Sequence, residues 1–313
     1  MILTKPSSGA KVLRLILVSV LVISLLFVSS SQAQSANFND SANTATKIKI
    51  PTYSMAKSDR SKPLRIAVAA NFTPVLKILL KDFSKQTGIK SQLISGASGA
   101  MFLQIKYGAP FDIFLSADSS RPKELEGAGY AVKNSRKTYA IGQLALYSSS
   151  SDLSSKLKNL DPLALSQLAI EQLKNLPARF AIANPEIAPY GKAAKEVLTH
   201  LGLWHNYKSR LITGINISQT FAQLRSKAVN RGIVANSQLV LNNLPGVVIP
   251  SSYHQPIEQQ LIIINASKQQ NNAKKLSEYL LSAQSQKIIV SYGYAQNKQV
   301  NKTNEKLNEL MIR

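Results

Sequence analysis

Four short loops along the chain carry small or hydrogen-bonding residues directly before a predicted helix. They lie at Ala70-Asn71, Ser98-Gly99, Pro189-Tyr190-Gly191 and Asn216-Ile217-Ser218. The first turn of a helix has backbone N–H groups without intrahelical partners and about half a positive charge, so each loop offers a place for an anion. None of these residues is Lys, Arg, Asp or Glu. The pattern therefore predicts an anion pocket made of neutral hydrogen-bond donors.

Other kinds of site have weaker support in the sequence. His200 and His205 are five residues apart, which does not place two metal ligands on one helical face, so no site for a free metal cation is expected. The chain has no Cys and no G-x-S-x-G motif. A hydrolase that uses Ser98 as its nucleophile is kept as an alternative.

The loops are positioned by alternating strand and helix signals. Residues Leu64–Ala70 form an apolar run typical of a buried strand, Thr73-Pro74 predicts an N-cap followed by Pro at the first helical position, and Gly88 predicts the end of that helix. This strand-loop-helix pattern recurs along the chain and predicts an α/β fold with a mainly parallel sheet covered on both faces. In such sheets ligands bind outside the carboxyl ends of the strands, where all four loops are expected.

Further elements are predicted with less detail. Strands are expected at 92–95, 112–116, 180–183, 210–213, 232–235, 247–249 and 261–264. Helices are expected at 101–107, 191–201, 218–228, 273–281 and 285–292.

The N-terminus has the three parts of a secretory signal peptide. Basic residues precede an apolar run from Leu15 to Val28, and Ser31-Gln32-Ala33 supplies small residues for cleavage. We expect residues 1–33 to be removed and 34–62 to be a flexible leader. The formal charge is +22, and +19 after removal of the three basic residues of 1–33. This charge attracts anions, and export argues against nucleic acid as the partner.

Four stretches stand in order along the chain: V-A-A-N-F-T-P-V at 68–75, S-G-A-S-G-A-M-F-L-Q-I-K-Y-G-A-P-F-D-I-F-L-S-A-D at 95–118, A-N-P-E-I-A-P-Y-G-K-A-A at 183–194 and R-G-I-V-A-N-S-Q at 231–238. Together they resemble the molybdate-binding proteins of ABC importers. The resemblance implies a type II periplasmic binding protein fold, with two α/β lobes that have mixed, mainly parallel sheets and are joined by two crossover segments. The first lobe would comprise 63–141 and 256–313, and the second 142–255.

The resemblance also implies a ligand site. The oxyanion contacts fall on Asn71 and Ser98 in the first lobe and on Tyr190 and Ile217 in the second. Asn71 and Ser98 would donate through side chain and backbone, Ile217 through its backbone N–H, and Tyr190 through its hydroxyl, its N–H or both. One branch of the family has a ligand-binding Tyr where this chain has Ala235, and the other branch places that Tyr as Tyr190 does here.

The function implied is that of a periplasmic receptor, not an enzyme. It would capture molybdate, and tungstate with it, without a cofactor, and deliver the oxyanion to a membrane permease with its cytoplasmic ATPase. A monomer suits a receptor that closes around its ligand. A receptor for sulfate or another tetrahedral oxyanion is the main alternative, because a site of donors without carboxylates rejects protonated oxyanions but does not by itself separate molybdate from sulfate.

Overall fold

The structure is a computed structural model that describes residues 62–149 and 160–297 of the 313-residue chain. The predicted signal peptide, the leader before residue 62 and the tail after residue 297 lie outside the described residues. Within the described ranges, no helix is long and apolar enough to cross a membrane.

Strands and helices alternate along most of the chain. The strands are β1 Leu64–Ala69, β2 Ser91–Gly96, β3 Ile113–Leu115, β4 Lys137–Gly142, β5 Leu144–Ser148, β6 Phe180–Ala183, β7 Leu211–Gly214, β8 Arg231–Ala235, β9 Val247–Val248 and β10 Ile257–Ile263. The helices are α1 Thr73–Thr87, α2 Ser98–Lys106, α3 Ser120–Gly127, α4 Pro162–Lys174, α5 Pro189–His200, α6 Trp204–Lys208, α7 Ile217–Arg225, α8 Asn236–Leu241, α9 Gln270–Leu281 and α10 Ala283–Ser291.

The strands form two mixed sheets. The first has the order β2-β1-β3-β10-β4, in which β1 runs parallel to β2 and β3, and β10 runs antiparallel to β3 and β4. The second has the order β7-β6-β8-β5-β9, with β6 parallel to its neighbours and β5 antiparallel to its own. The chain crosses from the first sheet to the second between β4 and β5, and returns between β9 and β10.

We call each sheet with its covering helices a lobe. The two-lobed α/β fold with mixed sheets and two crossovers is the predicted fold, and it is confirmed. The exact lobe limits given above stay a prediction. Each sheet has its own apolar core, which includes Ile66 and Val68 in the first lobe and Ile182 and Ile233 in the second. Apolar residues on both faces of these strands explain why helices cover both sides.

Local signals account for the first helix. Gly88 ends α1 in the left-handed conformation (φ 70°) and its N–H bonds to the Ser84 carbonyl. Thr73, predicted as the N-cap, is instead the first helical residue, because its hydroxyl pairs with Ser95 Oγ at 2.7 Å and does not cap the first turn. Phe72 occupies the N-cap position.

Two differences from the predicted elements affect the site. Helix α2 begins at Ser98, three residues before the predicted start, so Ser98 and Gly99 lie in its first turn. Strand β10 begins at Ile257, four residues before the predicted start. The polar run Glu258-Gln259-Gln260 hid this part of the strand, although Gln259 is fully buried.

Candidate functional site

The four residues predicted to bind the oxyanion line one small cavity between the lobes. The cavity measures about 10 Å³, and we call it the inner cavity. Asn71, Ser98, Tyr190 and Ile217 are all at most 4% exposed. The other residues that line it are small or uncharged: Ala69, Ala70, Gly96, Ala97, Ala117, Ala188, Pro189 and Asn216. The structure therefore brings all four together, in surroundings without a charged side chain among the lining residues.

Strand ends and helix starts explain this convergence. Asn71 follows the end of β1, Ser98 and Ile217 are the first residues of α2 and α7, and Tyr190 is the second residue of α5. A Cβ on Gly191 would collide with the Ala183 carbonyl at the end of β6, so only glycine lets α5 start this close to the strand. The carboxyl ends of the parallel strands thus place the helix starts around one point.

The backbone at these positions has N–H groups to offer. In the described part of the chain, the backbone N–H groups of Asn71, Ser98, Tyr190 and Ile217 make no hydrogen bond to another protein group. At α7, the Asn216 side chain caps the helix by accepting from the Gln219 N–H at 3.0 Å. The cap uses the third helical N–H, and the first stays available for an anion.

The side chains of the two first-lobe residues behave differently. Ser98 Oγ accepts from the Ala117 N–H at 2.9 Å, so the hydroxyl proton remains available to a ligand. The Asn71 amide nitrogen donates to Gln259 Oε1 at 2.9 Å and to the Tyr294 hydroxyl at 3.2 Å. Both amide hydrogens of Asn71 are thus engaged behind the cavity. Its backbone N–H is the donor that is left for a ligand.

Tyr190 keeps its proton over the physiological pH range. Burial raises the pKa of Tyr190 well above its ordinary value, and neighbouring Tyr294 raises it further, while the hydrogen bonds from Gln259 and Asn71 act in the opposite direction. Burial is also the main cause of the raised pKa values of Tyr139 and Tyr294. A neutral phenol is a hydrogen-bond donor, whereas a phenolate would repel an oxyanion.

Sequence reasoning missed the polar cluster behind the cavity. It is centred on Gln259, whose Oε1 accepts from Asn71 and from the Tyr139 hydroxyl (3.1 Å) and whose Nε2 donates to the Tyr190 hydroxyl (3.0 Å). Tyr294 closes the cluster by donating to the Asn71 carbonyl at 3.1 Å. The sequence contains no local signal for it, because its members lie on separate elements far apart in the chain.

Besides the Gln259–Tyr190 bond, hydrogen bonds of Gly99, Ser218 and Arg121 join the lobes around the cavity. The Gly99 N–H donates to the Ile187 carbonyl at 2.9 Å, Ser218 Oγ donates to the Ala70 carbonyl at 3.2 Å, and Arg121 Nη2 donates to the Glu186 carbonyl at 3.4 Å. These contacts hold the lobes together on the ligand side of the crossovers. A Cβ on Gly99 would come within 2.9 Å of the Ile187 carbonyl oxygen, so glycine allows this approach.

The alternatives to these four oxyanion contacts are a serine nucleophile, a metal site and a ligand contact at position 235. Among the described residues, no histidine or carboxylate hydrogen-bonds to Ser98, and a serine nucleophile needs such a base. No group of three His, Cys, Asp or Glu side chains in the described ranges is arranged to hold a metal ion. Ala235 is buried at the end of β8 and is not among the residues that line the inner cavity.

Comparison with known proteins identifies the family of this chain. Residues 64–295 match the family described as bacterial extracellular solute-binding protein. The chain belongs to this family.

The relatives most informative about the ligand are named molybdate-binding proteins. The molybdate-binding protein ModA of Azotobacter vinelandii is 35% identical over 244 residues, which are 77% of this chain and 92% of the relative. ModA of Rhodobacter capsulatus is 36% identical over 229 residues, 73% of this chain and 86% of the relative. The solved structure of the Azotobacter vinelandii periplasmic molybdate-binding protein superposes with a TM-score of 0.68 at 33% identity, covering 75% of this chain and all of that one. The resemblance drawn from the sequence motifs is thus confirmed.

Proposed function

We propose that this chain is a periplasmic receptor that captures molybdate, and tungstate with it, between its two lobes. The observation that carries the proposal is the convergence of Asn71, Ser98, Tyr190 and Ile217 on one buried, uncharged cavity. Relatives at 35% and 36% identity are named molybdate-binding proteins, which supports this ligand over other oxyanions.

The physical basis is replacement of hydration. A dianion that leaves water must recover its lost hydrogen bonds, and preorganised N–H and O–H donors supply them without a counter-charge. The donors are the four backbone N–H groups together with the hydroxyls of Ser98 and Tyr190. Each helix end adds roughly 0.3–2 kcal/mol and each hydrogen bond to a charged group about 1.5–3 kcal/mol. Such a set is consistent with sub-micromolar affinity, about −8 kcal/mol or better.

Selectivity follows from the type of group in the cavity. Hydrogen phosphate carries a proton that needs an acceptor, and none of the side chains that line the inner cavity is a carboxylate. Molybdate, tungstate and sulfate are fully deprotonated near neutral pH, so each can fill a site made of donors. Sulfate therefore remains the second candidate, since it has the same charge and shape as molybdate and differs in size.

The transport role is proposed with the ligand. The loaded receptor would deliver the oxyanion to a membrane permease driven by a cytoplasmic ATPase, and it would act as a monomer without nucleic acid or catalysis. The cross-lobe hydrogen bonds of Gly99, Ser218 and Arg121 would break when the lobes part to admit or release the ligand.

Isothermal titration tests the proposal directly. Purified protein is titrated with molybdate, tungstate, sulfate and phosphate at matched ionic strength. We expect stoichiometric, tight binding of molybdate and tungstate and no heat from phosphate. Tight binding of sulfate with weak binding of molybdate would reassign the ligand. No binding of any of the four would refute the receptor function while leaving the fold intact.

A further inference from the structure

Gln259 is a buried polar side chain that contacts both lobes behind the inner cavity. It lies on β10, is fully buried, and hydrogen-bonds to Asn71 of the first lobe and Tyr190 of the second. No charged group takes part in these bonds. A buried amide with partners on both sides costs little free energy, but it also fixes the direction of every hydrogen bond around it.

The orientation of the Gln259 amide follows from its neighbours. Tyr294 donates its proton to the Asn71 carbonyl, so its oxygen accepts from Asn71 Nδ2 at 3.2 Å and fixes the direction of the Asn71 amide. Asn71 Nδ2 therefore donates to Gln259 Oε1 at 2.9 Å, while Tyr139 shares its one proton between this oxygen and the Ser116 carbonyl, each 3.1 Å away. Because Oε1 accepts from Asn71, the opposite atom of the amide, Nε2, faces the Tyr190 hydroxyl at 3.0 Å. Gln259 therefore donates to Tyr190.

Gln259 is the main donor to the Tyr190 hydroxyl. Asn71 Nδ2 lies 3.5 Å from that hydroxyl and makes at most a weak contact, because its two hydrogens go to Gln259 Oε1 and the Tyr294 hydroxyl. A phenol oxygen has one proton to donate and a limited capacity to accept. The proton has no acceptor among the described residues, while Tyr139 and Tyr294 donate to the carbonyls of Ser116 and Asn71.

We propose, on the basis of the oxyanion-receptor function above, that Gln259 is a positioning residue that makes Tyr190 a donor-only group. With its accepting capacity filled from behind, the hydroxyl can offer a proton to a bare oxyanion and cannot accept one from hydrogen phosphate. Gln259 thereby sets the discrimination between deprotonated and protonated oxyanions, although it does not line the inner cavity.

The packing around this hydroxyl supports a specific arrangement. A Cβ on Gly142, at the end of β4, would lie 2.5 Å from the Tyr190 hydroxyl and 3.0 Å from Gln259 Nε2. Strands β4 and β10 of the first lobe therefore both approach this hydroxyl, and Gly142 leaves the space that it occupies. The close fit holds the hydroxyl against the Gln259 amide.

A double-mutant cycle tests the proposal. Gln259→Met removes the amide at similar volume, Tyr190→Phe removes the hydroxyl, and the combined variant completes the cycle. Each protein is titrated with molybdate and with inorganic phosphate at about pH 8, where a neutral tyrosine is expected. The matched control is Gln260→Met, because Gln260 is the next residue on β10 and pairs away from the cavity with Thr138 and Arg136.

We expect Gln259→Met to lower the ratio of molybdate to phosphate affinity by about tenfold or more, chiefly because phosphate binding becomes measurable. In the Tyr190→Phe background the same substitution should leave the ratio nearly unchanged, because its effect passes through the hydroxyl. Gln260→Met should retain the wild-type ratio.

Other outcomes distinguish the positioning role of Gln259 from the receptor function on which it rests. An unchanged ratio in Gln259→Met, or an equal change with and without the Tyr190 hydroxyl, would overturn the role of Gln259 and leave the receptor function standing. No molybdate binding by the wild-type protein would overturn both. If Gln259→Met does not fold, Gln259→Glu replaces it. Its carboxylate attracts the Tyr190 proton, so we expect molybdate affinity to fall by about tenfold or more and to recover as the buried carboxyl is protonated at lower pH. Wild-type affinity in that variant at all pH values would equally refute the proposal.

Discussion

Two neighbouring regions between the lobes have opposite chemistry. The inner cavity is lined by uncharged residues, whereas the groove outside it, of about 860 Å³, is lined by Asp118, Arg121, Glu186, Lys192 and Glu258 among others. Ala117, Ala188 and Pro189 line both, so the outer groove and the inner cavity are adjacent. Charged side chains thus line the outer groove and are absent among the residues that line the inner cavity.

The difference shows where charge is useful to an anion receptor. In the outer groove Arg121 forms an ion pair with Asp118, so each of these charges has an opposite charge beside it. In the inner cavity a charged side chain would bind anions without regard to their protonation. Neutral N–H and O–H donors have a fixed direction and little net charge. They bind a bare anion and reject one that carries a proton, because that proton finds no acceptor among them.

The strongest test of this contrast introduces the same charge into both regions. Ser98→Asp places a carboxylate in the inner cavity, where we expect molybdate affinity to fall by more than about 100-fold, since an uncompensated buried charge costs about 3–5 kcal/mol. Ser120→Asp places it in the outer groove, where the serine is exposed, and should change affinity by about threefold at most. Isothermal titration measures both. Equal losses in the two variants would show that the regions do not differ in the proposed way.

Unfolding at alkaline pH tests whether the three tyrosines behind the cavity are buried and protonated. Burial raises the pKa values of Tyr139, Tyr190 and Tyr294, so the folded state holds these protons more tightly than the unfolded state. Their contribution to stability is fully present below about pH 10, the unfolded value, and is lost as the pH rises towards the folded values. We expect the free energy of unfolding to fall by about 1 kcal/mol per tyrosine for each pH unit above about 10.

Urea titrations between about pH 8 and about pH 11 measure this slope. Tyr139→Phe removes one of the three phenols, so its slope should be shallower than that of the wild-type protein. Stability that stays level to about pH 11 would contradict the buried, protonated cluster.

A smaller effect is expected from filling the space beside Tyr190. The methyl group of Gly142→Ala would meet the Tyr190 hydroxyl, Ile257 and Gln259, and overpacking of this kind costs about 1–3 kcal/mol. We expect the melting temperature to fall by roughly 2–10 °C and molybdate affinity to fall with it. Gly127→Ala is the control, because nothing lies within 4 Å of its added Cβ. Similar behaviour of the two variants would show that the contact at Gly142 is relaxed in solution.

The smallest effect is expected from a single bond between the lobes. Ser218→Ala removes the hydrogen bond to the Ala70 carbonyl, which is worth about 0.5–1.5 kcal/mol. We expect a few-fold faster release of molybdate in stopped-flow measurements, with little change in the association rate. Ser226→Ala, which removes an exposed bond within the second lobe, should leave both rates unchanged. A slower release in Ser218→Ala would show that this bond does not hold the lobes closed.

Local sequence signals determined much of the architecture. Gly88 ends α1, the apolar runs of β1 and β6 become buried strands, and the small residues before α2, α5 and α7 become the helix starts around the cavity. These features depend on residues within one or two turns of each other, so their physical causes are readable along the chain. The loops that contain Asn71, Ser98, Tyr190 and Ile217 were found from these local signals. The choice of the four residues came from the family resemblance, and their role as ligands stays a prediction.

Only the tertiary structure decided what lies behind those residues. Gln259 sits in a polar run that favours a surface position, yet it is buried because Asn71, Tyr139 and Tyr190 satisfy its amide. These partners are 69 to 188 residues away in the chain, so no local sequence pattern predicts the contacts. A polar side chain can be buried only where the fold supplies its hydrogen bonds, and that condition exists only once both lobes and their crossovers are assembled.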